Sequence, residues 1–371
     1  MEEESGSGVR RMKNTTVLPW EMIIEILLRL PVKSLVRFKC VCKSWFVLLS
    51  DPRFATSHFE LASARTHTLI LIAPSASQIR FIDFNAPLHH DFASAVINLS
   101  FLPPNTCYKL QIVGSCRGFL LLNCCQSLWV WNPSTRVHKK VSPSPIEFTM
   151  NAICFTLSYG FWYDPSKDDY LVVKASHKPN SRYNATCVQF FSLRDNAWGD
   201  IEASHLSYLD SFESTKGGSI LNGAIHWLGF RHGMSMFAVV AFDLTKRSFS
   251  EIPLSDDFQG HFECCDLGKL RELLSLYCIV GWNQSVEIWV MNEYKVQSSW
   301  TKAIVVSIND IPTGCFSLIC STKDGDMVGT NGRCRLAKYN DKGQLLEHRS
   351  YCNGPCRSQV SVYTESLFSL P

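Results

Sequence analysis

Charge is scarce in this sequence. Asp, Glu, Lys and Arg make up 19% of 371 residues, and 36 basic against 33 acidic side chains leave a formal net charge of +3. So little charge argues against long disordered tails. It also argues against the strongly basic surface of a protein built to bind a phosphate backbone. Long apolar runs are missing as well: "EMIIEILLRL" and "FAVVAF" are interrupted too soon to cross a bilayer. The opening "MEEESGSGVRRMKN" has no apolar stretch of the signal-peptide kind, and residues 1–16 read as a disordered lead-in.

Catalytic signatures are absent too. There is no phosphate loop, no His-Glu-x-x-His and no Gly-x-Ser-x-Gly. A triad dispersed along the chain leaves no such signature. Metal-ligand spacing is poor throughout. Cys40-x-Cys42 lacks a second pair, "HFECC" at His261–Cys265 lacks a second half, and His89-His90 and Cys352-x-x-x-Cys356 are weaker still. No metal and no cofactor are expected.

What is present is apolar surface. Residues of the AVILMFWYC set make up 46% of the chain, and the length allows two domains. The 16 cysteines sit in a chain too long and too well supplied with core for a disulfide scaffold; they are expected as reduced, small buried hydrophobes in a cytoplasmic and/or nuclear protein. The sequons at Asn14, Asn98, Asn184 and Asn283 are then chance matches.

From Leu18 the apolar residues take helical period. Ile23, Ile26, Leu27 and Leu30 make one face; Val32, Leu35 and Val36, then Val41, Trp45, Leu48 and Leu49, repeat it. Pro19 and Glu21 suit a helix start, Pro31 restarts the chain, and Ser50-Asp51-Pro52 stops it. Three short helices in about forty residues seldom close a core alone, so this face wants a partner in the chain or outside it. Lys33, Arg37, Lys39 and Lys43 stand with Glu21, Glu25 and Asp51 nearby and without a series of stacking aromatics, which fits a solvated face better than a nucleic-acid site.

The stretch from Leu18 to Phe59 closely resembles the F-box. Leu18-Pro19, Glu25-Ile26-Leu27, Leu30 to Leu35, Cys40 to Trp45 and Asp51 to Phe54 all fall in family positions, with Trp20 at a variable one. The resemblance implies docking on a Skp-family adaptor and, through it, a cullin scaffold. The residues it implies for that face are Leu18, Pro19, Ile23, Ile26, Leu27, Leu30, Pro31, Leu35, Val41 and Trp45.

The rest of the chain repeats. Six apolar stretches end in a polar turn and resume as a strand; aligned at Asp83, Asn132, Ser192, Asp243, Met291 and Asn340, they step by 49, 60, 51, 48 and 49 residues. A period near fifty and about four strands per unit point to a kelch-like β-propeller of about six blades. A strand-like piece from Val360 to Leu367 is placed to pair with the first blade and close the ring. Trp131, Trp198, Trp227, Trp289 and Trp300 recur near blade strands as expected core.

This half resembles the F-box-associated domain of plant F-box/kelch-like proteins. "VGSCRGFLLL", "LWVWNPSTR", "YGFWYDPSKDDYLVV", "FFSLRDNAW", "LNGAIHWLG", "VVAFDL" and "IWVMNEYKVQSSWTK" match its motifs in order; Glu272 replaces the usual glycine in one turn. The expected architecture is α+β and multidomain: a lead-in at 1–16, a three-helix F-box at 17–60 and an all-β propeller at 61–371.

The resemblance implies a non-catalytic substrate-recognition subunit of a Skp–cullin–F-box ubiquitin ligase, with no nucleic-acid or membrane partner. The rival is a propeller enzyme or a binding module, for a sugar among others, whose helices are merely structural. Loops between the second and third strands of the blades would share one rim. Arg182, Tyr183, Arg231, His232, Trp282 and Asn283 are the residues on them chosen for gripping a target protein.

Overall fold

The computed structural model describes residues 18–63, 68–73, 78–88, 99, 101–102, 110–124, 127–144, 157–177, 186–201, 209–210, 217–231, 236–258, 262–280, 285–307, 316–330, 335–351 and 359–371. The expected lead-in lies outside them.

Helices come first: α1 (Trp20–Leu27), α2 (Val32–Phe38), α3 (Lys43–Ser50) and α4 (Pro52–Ser63). The three helices read from the sequence are there, and a fourth follows. Ser50-Asp51-Pro52 ends α3 but also starts α4. Asp51 Oδ1 accepts the Arg53 N–H at 2.8 Å, the Asp51 carbonyl accepts the Ala55 N–H, and Pro52 takes a first helical position where it has no N–H to lose.

Six small antiparallel sheets follow. Blade one holds β1 (Thr68–Ala73) and β2 (Gln78–Asp83). Blade two holds β3 (Leu110–Cys116), β4 (Phe119–Cys124), β5 (Ser127–Trp131) and β6 (His138–Lys140). Blade three holds β7 (Leu157–Asp164), β8 (Asp169–His177), β9 (Thr186–Ser192) and β10 (Ala197–Ile201). Blade four holds β11 (Leu209–Asp210), β12 (Ser219–Leu221), β13 (Ala224–Arg231), β14 (Met236–Asp243) and β15 (Ser248–Ile252). Blade five holds β16 (Phe262–Leu270), β17 (Leu273–Val280), β18 (Ser285–Met291) and β19 (Trp300–Ser307). Blade six holds β20 (Ser317–Ser321), β21 (Met327–Thr330), β22 (Arg335–Tyr339) and β23 (Leu345–Ser350).

The last strand, β24 (Gln359–Tyr363), returns to blade one and pairs antiparallel with β1, Thr68 opposite Tyr363 and Ile72 opposite Gln359. It serves as that blade's inner strand and packs between β20 and β3, which closes a six-bladed ring. The strand is shorter than the Val360–Leu367 piece read from the sequence, because the chain leaves the sheet after Tyr363. A second stitch spans the closure. Glu347 of blade six accepts the Leu88 N–H at 2.8 Å and pairs with Lys338 at 3.2 Å.

All six repeat markers fall at the end of, or just after, the third strand of a blade, and each side chain caps the turn that follows. Oδ1 of Asp83, Asn132, Asp243 and Asn340 accepts backbone N–H groups of Asn85, Ser134, Thr245 and Lys342; Ser192 Oγ accepts from Asp195, and Met291 Sδ from Lys295. Asn and Asp are favoured there because a short polar side chain satisfies the turn's own donors. Trp131, Trp227, Trp289 and Trp300 are buried between blades and Trp198 is half-buried. The indole N–H of Trp227 donates to the Tyr159 carbonyl at 3.0 Å.

Glu272 forms the β16–β17 turn with Arg271, at φ of 59° and 50°. The same two-residue left-handed turn in blade four uses Asn222-Gly223. A side chain held at positive φ costs roughly 1–2 kcal/mol, while glycine costs roughly 0.5–1 kcal/mol in entropy. Glu272→Gly is therefore expected to raise stability by about 0.5 kcal/mol in urea unfolding at unchanged slope; a clear loss of stability would refute the strained-turn assignment.

Candidate functional site: an apolar helical face and an opposite rim

The helices have a completed core. Leu27, Val32, Leu35, Leu49, Phe54 and Ala55 are buried together, and the seventh member is Leu367, from the segment after β24. That segment is held on both sides. Asn132, fully buried in the blade-two turn, donates through Nδ2 to the carbonyls of Ser366 and Phe368 at 3.1 and 3.2 Å. Glu365 accepts the N–H of Val32 at 2.9 Å, and Phe368 packs on Phe59 of α4 with ring centroids 5.4 Å apart. The Arg117 guanidinium lies over Tyr163 at 3.9 Å and over Phe368 at 4.2 Å. Gly118 next to it has φ +78°, and a Cβ there would fall 2.4 Å from that of Ser366. The boundary at residue 60 therefore does not separate two cores: α4 runs to Ser63, and residues 365–368 belong with the helices.

The expected docking residues divide. Leu27 and Leu35, 1% and 0% exposed, face the chain's own core and cannot meet a partner in this arrangement. Ile23, Leu30 and Trp45 are half-buried, with Trp45 edge-on to Phe38. Leu18, Pro19, Ile26, Pro31 and Val41 are exposed. Trp20, Met22, Val36, Phe46 and Val47 are exposed as well and were missed; Phe46 and Val47 reach 55% and 68%. Helical period selected Trp45, Leu48 and Leu49 as the apolar face of α3, which is the inner one. The signal for Phe46 and Val47 was an apolar pair off that face. Large apolar residues left exposed in such number on one small helical unit are the usual mark of an interaction surface.

The rim candidates stand elsewhere. Arg182, Tyr183, His232, Trp282 and Asn283 lie outside the described residues, and Arg231 is the last residue of β13, known by its backbone. The topology still fixes a side. Contacts to the segment after β24 and to the helices come from Arg117, in the turn joining the first strand of blade two to its second, and from Asn132, in the turn joining the third to the fourth. In each blade the second and third strands run together at their opposite ends, as where Cys124 pairs with Ser127 and Val280 with Ser285, away from those turns.

Burial pushes the thiols of Cys116 and Cys320 up to about 12. The hydrogen bond from Tyr163 at 2.7 Å, then Arg194, hold the Asp168 carboxyl below its ordinary range, in an exposed pairing. Among the described residues no three His, Cys, Asp or Glu side chains gather as a metal site; His89, His90, His261, Cys352 and Cys356 fall outside them. Among those residues no helix is long and apolar enough to cross a membrane.

The family pattern of the F-box associated beta propeller domain matches residues 69–343, and that of the F-box domain matches residues 16–56. The chain belongs to the F-box proteins with an F-box-associated β-propeller. F-box/kelch-repeat protein At3g23880 of Arabidopsis thaliana is 31% identical over 97% of this chain and 98% of its own length. The F-box protein CPR1 of the same plant is 31% identical over 78% and 73%. Among solved structures, TolB from Acinetobacter baumannii aligns over 79% of this chain and 66% of its own at 10% identity, with a TM-score of 0.42.

Replacing Asn132 by alanine would leave the buried Ser366 carbonyl and the half-buried Phe368 carbonyl without their donor, at about 1–3 kcal/mol. Asn132→Ala is expected to lower stability by that amount and to speed hydrogen exchange at residues 364–368. Unchanged exchange there would show that Asn132 does not hold the segment.

Proposed function

We propose that this F-box protein is the substrate-recognition subunit of a Skp–cullin–F-box ubiquitin ligase. The observation that carries the reading is the apolar face formed by Leu18, Trp20, Met22, Ile26, Val41, Phe46 and Val47. It remains exposed after the helices have completed their core with Leu367. It is not spare core awaiting the propeller, so its burial is left to another protein, and the family makes that protein a Skp adaptor. The propeller then presents its far rim to a target protein in the cytoplasm or nucleus. The chain itself performs no chemistry. It raises the effective concentration of a target lysine at the ubiquitin donor.

Burying one large apolar side chain contributes roughly 1.5–3 kcal/mol, and an unpaired charge in its place adds a desolvation cost. Phe46→Asp and Val47→Asp are expected to weaken adaptor binding at least tenfold while circular dichroism and unfolding stay as in wild type. Leu27→Asp should instead unfold the helices. Failure of the wild-type chain to bind a purified Skp adaptor at micromolar concentration would sink the reading in favour of a propeller whose helices are structural only.

The target site rests on loop position. Alanine at Arg231-His232 and Trp282-Asn283 is expected to impair target co-precipitation and spare adaptor binding; an anchor among them carries about 2 kcal/mol, roughly thirtyfold. Full capture by both variants would move target recognition off this rim.

A further inference from the structure

No acidic residue occurs between Ile26 and Ser50, a stretch that holds Arg29, Lys33, Arg37, Lys39 and Lys43. Arg29 is neutralised by Glu25 at 2.6 Å. Lys33, Arg37 and Lys43 are exposed and have no ion-pair partner among the described residues. On α2, Lys33, Val36 and Arg37 form one outward stripe at i, i+3 and i+4; on α3, Lys43, Phe46 and Val47 repeat it. Cations thus alternate with the apolar residues of the docking face.

Folding does not account for these positions. Lys33 and Lys43 sit in the first turns of α2 and α3, where the helix dipole disfavours a cation and where neither helix has an acid. Lys33 and Arg37 are like charges at i, i+4, which repel. Lys39 at the end of α2 has its ammonium pushed below the ordinary range by burial, and no anion offsets this. Each feature is a small cost to the isolated chain and would be relieved by carboxylates brought from outside. Nucleic acid fits less well, because exposed Val36, Phe46 and Val47 interrupt the cations and the chain as a whole is nearly neutral.

We propose that the protein docking on this face carries an acidic rim around an apolar centre, met by Lys33, Arg37 and Lys43. This rests on the adaptor reading and adds to it the charge of the adaptor's contact surface. Rim charges steer encounter more than they hold the complex, so the effect belongs in the association rate and is screened by salt over about 10 Å at 0.1 M.

The test uses the full-length chain and an Arabidopsis Skp-family adaptor, with association and dissociation rates measured across ionic strength. Wild type should associate more slowly as salt rises. The triple variant Lys33→Gln, Arg37→Gln, Lys43→Gln should associate about tenfold more slowly at low salt, lose most of the salt dependence and dissociate at nearly the wild-type rate. All three positions are exposed, so the fold should be unaffected. A triple variant that binds with the wild-type association rate and salt slope would overturn the inference and leave the adaptor reading standing. No binding by wild type would overturn both. Binding of a duplex DNA oligonucleotide that disappears in the triple variant, with adaptor rates unchanged, would overturn the inference by assigning the cations to nucleic acid.

Discussion

The pairing of β24 with β1 is the constraint on which the rest of the structure hangs. It joins residues nearly the whole propeller apart, and a loop of that length is entropically expensive to close. Once made, it covers the inner edge of β1 and brings the last strand against blades two and six, so the ring closes. It also aims the chain after Tyr363 at the helices. Asn132 holds the Ser366 and Phe368 carbonyls, Leu367 completes the helical core and Glu365 accepts from the start of α2. Closing the ring and seating the helices are therefore one event in one segment.

That arrangement sorts the surface of the molecule. The helices sit against turns on one face of the ring, and the ends at which second and third strands pair lie at the other. The proposed role, holding an adaptor and a target at once, would need two faces that do not compete. A fixed junction also keeps their separation from fluctuating, and effective concentration depends on that separation. The packing of Arg117 between Tyr163 and Phe368 stiffens the junction where a flexible linker would blur it.

Much of the fold was legible because its determinants are local. A side chain capping the turn after each third strand recurs near every fifty residues, polar at Asp83, Asn132, Ser192, Asp243 and Asn340 and the thioether of Met291 in blade five. The docking face was only half legible. Leu27 and Leu35 are of the same chemical type as Phe46 and Val47, and helical period finds apolar stripes without saying which is covered. The cover is Leu367, more than three hundred residues away, and no local pattern reveals it. The fourth helix was hidden because Asp-Pro both stops one helix and starts another. The target rim was legible only as topology, since loop side chains obey no periodicity.

Hydrogen exchange of the full-length chain, free and with a Skp-family adaptor, tests the central claim most directly: that the exposed helical face, and not the propeller, meets the adaptor. The account predicts new protection in peptides covering residues 18–26 and 41–47, with none in the connections between second and third strands of the blades. Protection on those connections, or none on the helices in a complex that has formed, would contradict it.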